Sequence, residues 1–166
     1  MLNIIIFCKP IHSGKSTTLL NWTKQQQNCY GILMPEIKGL KSFYDINNQE
    51  YFEAEIFENN KATIKTQTIG KYIFKCGSFN KANKIIVDAY QKENDFIIID
   101  EIGRLELMQK GFFESLQFIL QSSSPKKNLS LLLVVRDTLL NEVIIFFQIK
   151  KYHLIQQLDE IEKLIT

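Results

Sequence analysis

The hydrophobic residues of this chain fall into short continuous runs. Residues 2–8, 96–100 and 129–135 are almost entirely apolar, and residues 29–35 predict a further strand. Continuous apolar runs are typical of strands that are buried on both faces of a parallel sheet. The pattern therefore predicts a sheet whose strands are covered by other elements on both sides.

Segments with helical spacing separate these runs. Helices are predicted over residues 15–27, from Ser78 as N-cap to about Lys92, and over residues 112–121. Strands that alternate with helices at this spacing favour a mostly parallel sheet with right-handed crossovers. The expected fold class is α/β, in a single domain over residues 1–166.

Two stretches depart from this alternation. Between residues 38 and 76, short strand-like segments at 51–57 and 72–74 are separated by the turn signals Asn47-Asn48 and Asn59-Asn60. They predict an antiparallel meander inserted into the α/β frame. Near the end, residues 143–147 fit either a strand or a buried helix, and residues 155–165 have helical spacing.

The first candidate site lies directly after the first apolar run. A strand that leads through a Gly-Lys-Ser loop into a helix aims backbone N–H groups at a polyphosphate. Gly14 lets the backbone approach a phosphate, Lys15 supplies a positive charge, and Ser16 offers a hydroxyl to Mg²⁺. The strict motif begins with glycine, whereas this chain has Lys9 there. The predicted nucleotide-binding residues are Lys9, Pro10, Ile11, His12, Ser13, Gly14, Lys15, Ser16 and Thr17.

The second candidate site follows the apolar run 96–100, which ends in two acids. The carboxyl ends of strands in open α/β sheets are where ligands bind. Asp100 is expected to hold Mg²⁺ together with Ser16, and Glu101 to polarise a water molecule for attack on the γ-phosphate. The alternative is a pair of solvated acids at the end of a strand.

Arg136 ends the apolar run 129–135 and is the third candidate. The chain has eighteen lysines and two arginines, so each arginine is informative. A guanidinium can clamp charge that develops on a transferring phosphoryl group. A surface salt bridge with Asp137 or another acid explains the residue equally well.

These motifs together resemble the cancer-related nucleoside triphosphatase family of P-loop proteins. Residues 9–18 are similar to its phosphate-binding (Walker A) loop, and residues 100–107 resemble its Asp-Glu-Ile-Gly-x-x-Glu-Leu box, the Walker B region. The resemblance implies a three-layer P-loop fold and slow, Mg²⁺-dependent hydrolysis of nucleoside triphosphates such as ATP and GTP, with loose base preference.

Composition and charge mainly exclude classes of binding partner and location. A net charge of +2 on 166 residues gives no basic stripe for nucleic acid. No apolar segment is long enough to span a bilayer, and no secretory leader is evident, so a cytoplasmic location is expected.

The sequence thus predicts a Mg²⁺-dependent hydrolase in which Lys15, Glu101 and Arg136 are catalytic. Two alternatives stay open. A nucleotide or small-molecule kinase uses the same phosphate loop but usually carries an arginine-rich lid. A nucleotide-bound switch or docking protein with little turnover is favoured by the lysine at position 9.

Overall fold

The computed structural model describes residues 2–10, 14–58, 65–92, 96–122 and 128–165, with the side chains of Lys9 and Lys15 left aside. The predicted turn at Asn59-Asn60 and the loop residues Ile11, His12 and Ser13 lie outside the described residues. The described strands are β1 (Asn3–Lys9), β2 (Tyr30–Leu33), β3 (Glu36–Ile37), β4 (Leu40–Asp45), β5 (Glu50–Glu53), β6 (Thr66–Ile69), β7 (Tyr72–Lys75), β8 (Phe96–Ile102), β9 (Ser130–Arg136) and β10 (His153–Ile155). The described α-helices are α1 (Lys15–Thr23), α2 (Cys76–Gln91), α3 (Arg104–Leu107), α4 (Phe113–Leu120) and α5 (Leu140–Phe146).

The main sheet combines a parallel and an antiparallel half. Its described strands follow the order β10-β1-β9-β8-β2-β4-β3, with β5 also paired to β4. The first five strands of that order are mutually parallel, whereas β3, β4 and β5 pair antiparallel. The hairpin of β6 and β7 is joined to this sheet region by one bridge, Glu55 to Phe74. The prediction of a mostly parallel α/β sheet with antiparallel strands between residues 38 and 76 is confirmed.

Helices cover both faces of the sheet, which gives the expected three layers. On one face, buried residues of α2, α4 and α5 pack against Ile97 and Ile99 of β8. On the opposite face, Leu19 of α1 and Ile161 of a 3₁₀ segment pack with Ile98. Alternate residues of a strand point to opposite faces, so the apolar run of β8 serves both layers. We call these the α2 face and the α1 face of the sheet.

Close packing between the two central strands depends on a glycine. Gly31 of β2 has a φ of 111°, and a Cβ atom built there would lie 2.1 Å from the carbonyl oxygen of Ile98. Only glycine combines this positive φ with such a close approach of two backbones. Gly31 therefore fixes how β2 lies against the strand that carries the acidic pair.

Three boundary predictions need correction. Helix α1 ends at Thr23, not at residue 27. Ser78 is not an N-cap, because β7 runs directly into α2, Lys75 is the N-cap, and Ser78 is buried inside the helix. The C-terminal stretch begins as strand, since Ile155 of β10 pairs with Phe7 of β1, and continues as a 3₁₀ segment over Leu158–Lys163.

The structure also decides between the strand and the buried helix that the sequence allows for residues 143–147. Residues 143–147 are helical, within or next to α5, and Val143 is buried. No helix of the described residues is both long and apolar enough to cross a membrane.

Candidate active site

The predicted phosphate loop begins at the end of β1 and leads into α1. Lys9 is the last residue of β1 and pairs with Arg136 of β9, so its backbone is extended and does not require glycine. Gly14 caps α1 with a left-handed φ of 73°, and its carbonyl oxygen accepts bonds from the backbone N–H and the hydroxyl of Thr18. Pro10, Gly14 and Thr17 are exposed around the start of this helix.

A short hydrogen bond connects the start of α1 to the end of β8. The Ser16 hydroxyl donates to Oδ2 of Asp100 at 2.6 Å, although the two residues are 84 positions apart in the chain. Asp100 follows Ile98 on the α1 face, which is why its carboxylate is directed toward the helix that carries Ser16. Such a short O–H···O distance is typical of a charge-assisted bond.

Asp100 is fully buried and surrounded by donors. Its carboxylate also accepts the N–H groups of Met34 at 3.0 Å and of Glu101 at 2.8 Å. Burial and the neighbouring charge of Glu101 raise the pKa of Asp100, while the bonds from Ser16 and Met34 and the charge of Lys41 act in the opposite direction. These donors compensate much of the penalty of burying a carboxylate.

Glu101 leaves the regular path of the strand. Ile99 pairs with Leu133 and Ile102 with Val135, so β8 carries one more residue than β9 across this interval. Glu101 itself has a left-handed φ of 60°. Bulges of this kind redirect a side chain, and strained backbone at a strand end is often associated with a functional site.

The redirected carboxylate of Glu101 lies between two cations. Lys41 Nζ is 3.0 Å from Oε1, and Arg136 Nη2 is 3.3 Å from Oε2. The three side chains are only 14%, 19% and 31% exposed for Lys41, Glu101 and Arg136. Arg136 thus pairs with an acid of the candidate site and not with Asp137, whose carboxylate accepts the N–H of Thr138.

Lys41 was not among the residues predicted from the sequence. It lies on β4 of the antiparallel half, one position after the start of that strand. Burial by itself lowers the pKa of Lys41, but the charge and hydrogen bond of Glu101 together with the charges of Asp100 and Tyr72 outweigh it, so the pKa is raised overall. Lys41 is therefore protonated at neutral pH and brings a third strand into the site.

Glu106 belongs to the segment 100–107 that resembles the family's acidic box, and the sequence by itself indicates no role for it. It lies in α3 and is fully buried, and its two oxygens accept the N–H groups of Gly103 and Phe112 at 2.8 Å each. Burial raises the pKa of Glu106 to about 7, although these backbone bonds favour the charged form. The residue ties the segment after β8 to the start of α4.

The donor set is compatible with Mg²⁺. The described residues contain no group of three or more His, Cys, Asp or Glu side chains that could hold a metal by themselves. Ser16 and Asp100 instead offer one hydroxyl and one carboxylate. Mg²⁺ prefers hard oxygen ligands and commonly takes one or two carboxylates together with substrate phosphates.

The structure therefore brings Ser16, Asp100, Glu101 and Arg136 to one edge of the sheet, as the sequence predicted. Gly14, Thr17 and the backbones of Lys9 and Lys15 border the same edge. The roles assigned to all of these residues, including the three loop residues outside the described part, stay predictions.

Comparisons with known proteins bear on the family and the fold of the chain. A protein-family model described as NTPase matches residues 4–163. The crystal structure of THEP1 from the hyperthermophile Aquifex aeolicus is similar, with a TM-score of 0.69, 21% identity, and coverage of 99% of this chain and 94% of that chain.

The solution structure of a human cancer-related nucleoside triphosphatase has a TM-score of 0.65 and 15% identity, with coverage of 98% of this chain and 93% of that chain. At these identities the two structures support the fold. A search of curated proteins finds no match.

Proposed function

Because the chain belongs to the NTPase family, we propose that it hydrolyses nucleoside triphosphates such as ATP and GTP to diphosphate and phosphate, with Mg²⁺ and with loose base preference. Membership in the family makes the chain a nucleoside triphosphatase. The metal, the range of bases and the roles of individual residues are our proposal.

The nucleotide is held by the segment from Lys9 to Thr17. Backbone N–H groups of this segment and of the first turn of α1 contact the phosphates, because the first N–H groups of a helix have no partner within it. Lys15 contacts the β- and γ-phosphate oxygens. Ser16 and Asp100 hold Mg²⁺, which when bound offsets the charge of the phosphates.

Glu101 orients the water molecule and accepts its proton as the oxygen attacks the γ-phosphorus. Lys41 and Arg136 fix the two oxygens of this carboxylate, which keeps the base in one orientation. The same cations lie beside the reacting centre, where they can neutralise charge that develops on the transferring group.

The observation that carries the proposal is the 2.6 Å bond between Ser16 and Asp100. It joins the helix after the phosphate loop to the strand end that carries Glu101. The extended backbone of Lys9, which does not require glycine, supports a loop that binds phosphate.

The test is phosphate release from ATP, GTP, CTP and UTP, with and without Mg²⁺, in wild-type protein and Glu101→Gln. We expect wild-type turnover with all four nucleotides only when Mg²⁺ is present. Loss of a general base lowers the rate by roughly 10²- to 10⁴-fold. Nucleotide binding, measured by equilibrium dialysis, should persist in the variant.

Glu114→Gln is the matched control, since Glu114 is an exposed acid in α4. It should keep wild-type turnover. Equal turnover in Glu101→Gln and wild type would refute the role of Glu101. Binding without turnover in every variant would favour a nucleotide-bound switch.

A further inference from the structure

A cavity of about 130 Å³ adjoins Glu101 on the α2 face of the sheet. Phe74, Phe79 and Phe112 are buried in its wall, and Tyr72 from the β6–β7 hairpin completes an aromatic lining. Phe79 meets Phe74 and Phe112 edge-on, with ring centroids 5.5 and 5.4 Å apart. The packing of these rings leaves a space with apolar walls.

The size of the cavity restricts what fits. Its volume of about 130 Å³ is close to that of an engineered apolar cavity of about 150 Å³ that binds benzene. A single aromatic ring matches this space. The apolar walls favour a ring without charge.

The polar side of the cavity is formed by the catalytic groups. Lys41, Glu101 and Arg136 all line it, whereas Ser16 and Asp100, among the described residues, do not. The cavity therefore borders the proposed base Glu101 and not the proposed metal ligands. In-line phosphoryl transfer places the nucleophile opposite the leaving group, so a molecule in this cavity meets the γ-phosphate from the nucleophile's side.

Both arginines of the chain line the same cavity. Arg136 pairs with Glu101, and the exposed Arg104 forms no salt bridge within the described part of the chain. Guanidinium groups are well suited to charge that develops during phosphoryl transfer. Hydrolysis by water requires neither an apolar cavity nor a second arginine beside the base. The position of both arginines at this cavity therefore favours an acceptor other than water.

We propose that this cavity binds the ring of an aromatic alcohol, whose hydroxyl takes the γ-phosphoryl group in place of water. The hydroxyl oxygen forms a bond to the γ-phosphorus, its proton passes to Glu101, and the bond to the bridging oxygen of the β-phosphate breaks. The products are a phosphate monoester and a nucleoside diphosphate. This inference rests on the proposed function, since the same loop and the same base serve both acceptors.

The test uses benzyl alcohol as the probe and toluene as the same ring without the hydroxyl. Contact with the protein is followed by saturation-transfer NMR. Products from Mg²⁺-ATP are followed by ³¹P NMR, which separates benzyl phosphate from inorganic phosphate. We expect both compounds to give saturation transfer and only benzyl alcohol to give the ester.

Ile69→Trp fills the cavity from the partly exposed hairpin, where Ile69 lines the wall. Thr68→Trp is its matched control, because the adjacent side chain of the strand is exposed and directed to the other face. We expect Ile69→Trp to lose ring contact and ester formation but to keep nucleotide binding, and Thr68→Trp to keep ring contact, ester formation and phosphate release.

The outcomes separate this inference from the proposed function. Absence of ring contact in the wild type, or ring contact with phosphate release but no ester, overturns the inference. Ester that forms equally in Ile69→Trp also overturns it. If the wild type forms benzyl phosphate but releases no phosphate without the alcohol, the inference stands and the hydrolytic function fails.

Discussion

The parallel and antiparallel halves of the sheet contribute to the candidate site in different ways. The parallel half supplies Asp100, Glu101 and Arg136 from the ends of two adjacent, buried strands. The antiparallel half supplies Lys41, and the hairpin attached to it supplies part of the cavity wall. The acids and one counter-charge thus come from the buried centre, while a second counter-charge and part of the cavity wall come from the periphery.

This difference follows from burial. Strands β8 and β9 are covered on both faces, so their ends are held by the core of both layers. Strands β5 and β6 are largely exposed or half-buried. Changes in the parallel half should therefore affect catalysis or folding strongly, and matched changes in the antiparallel half should have smaller effects.

The largest contrast is expected between two buried aspartates. Asp100→Asn removes the charge and one acceptor at the predicted Mg²⁺ site, and loss of such an interaction lowers kcat/KM by about 10³-fold. Asp45→Asn in β4 alters only contacts with the turn residues Asn47 and Asn48 and should leave turnover unchanged. Phosphate-release kinetics measure kcat/KM in both variants. An equal loss of kcat/KM in the two would contradict the distinction between the halves.

Two glycines allow the same comparison for stability. In Gly31→Ala the new Cβ meets the carbonyl of Ile98, and we expect a loss of about 3 kcal/mol in the free energy of unfolding. Gly39→Ala, between β3 and β4, meets no atom within 4 Å and has only the left-handed backbone as a penalty, about 1 kcal/mol. Urea unfolding measures both, and a smaller effect at Gly31 would contradict the tight packing of β2 on β8.

Glu106, in α3 directly after strand β8 of the parallel half, predicts a pH dependence of stability. Its pKa is raised from 4.5 to about 7 by burial, so between these values the folded state holds a proton that the unfolded chain has lost. Its contribution to stability therefore falls as pH rises through this window, by up to about 3 kcal/mol, and is constant above it. Glu106→Gln should lack this slope in urea unfolding at pH 5, 6 and 7.5, whatever its absolute stability. If wild type and Glu106→Gln lose the same free energy of unfolding between pH 5 and pH 7.5, the raised pKa of Glu106 is contradicted.

The smallest effect concerns the lysines of the antiparallel half. Lys41→Met removes one of the cations that pair with Glu101 and keeps the pair with Arg136, and we expect turnover to fall by about 10-fold, less than when a sole donor is removed. Lys75→Met breaks an exposed pair with Glu53 and should change neither turnover nor, beyond about 0.5 kcal/mol, stability. Steady-state kinetics with thermal unfolding compare the two, and unchanged turnover in Lys41→Met would limit its role to the fold.

The parallel half could be predicted from the sequence because its signals are local. An uninterrupted apolar run that ends in Asp100-Glu101, or in Arg136, indicates both a buried strand and the edge at which it ends. The antiparallel half has weaker signals. Within the predicted meander, β4 corresponds to no predicted strand segment, β6 has two threonines and a glutamine among its four residues, and both are partly exposed.

Lys41 shows why part of the site was missed. It is one of eighteen lysines, and nothing adjacent to it in the chain marks it as different. Its role depends on the pairing of β2 with β4 and on the bulge that redirects Glu101, both of which are non-local. The C-terminal strand β10 was missed for a similar reason, since its pairing with β1 outweighs the helical spacing of the residues that follow.

The extra residue in β8 separates two compartments. Asp100 faces the layer of α1, which we propose binds the nucleotide. Glu101 is directed to Lys41, Arg136 and the cavity on the opposite face. On the proposed roles, we expect a substitution that reshapes the cavity to leave nucleotide binding unchanged, and a substitution at the nucleotide site to leave the cavity unchanged. We therefore expect that variants of this chain can change the molecule that accepts the phosphoryl group and still use the same nucleotide. The one extra residue in β8 makes this separation.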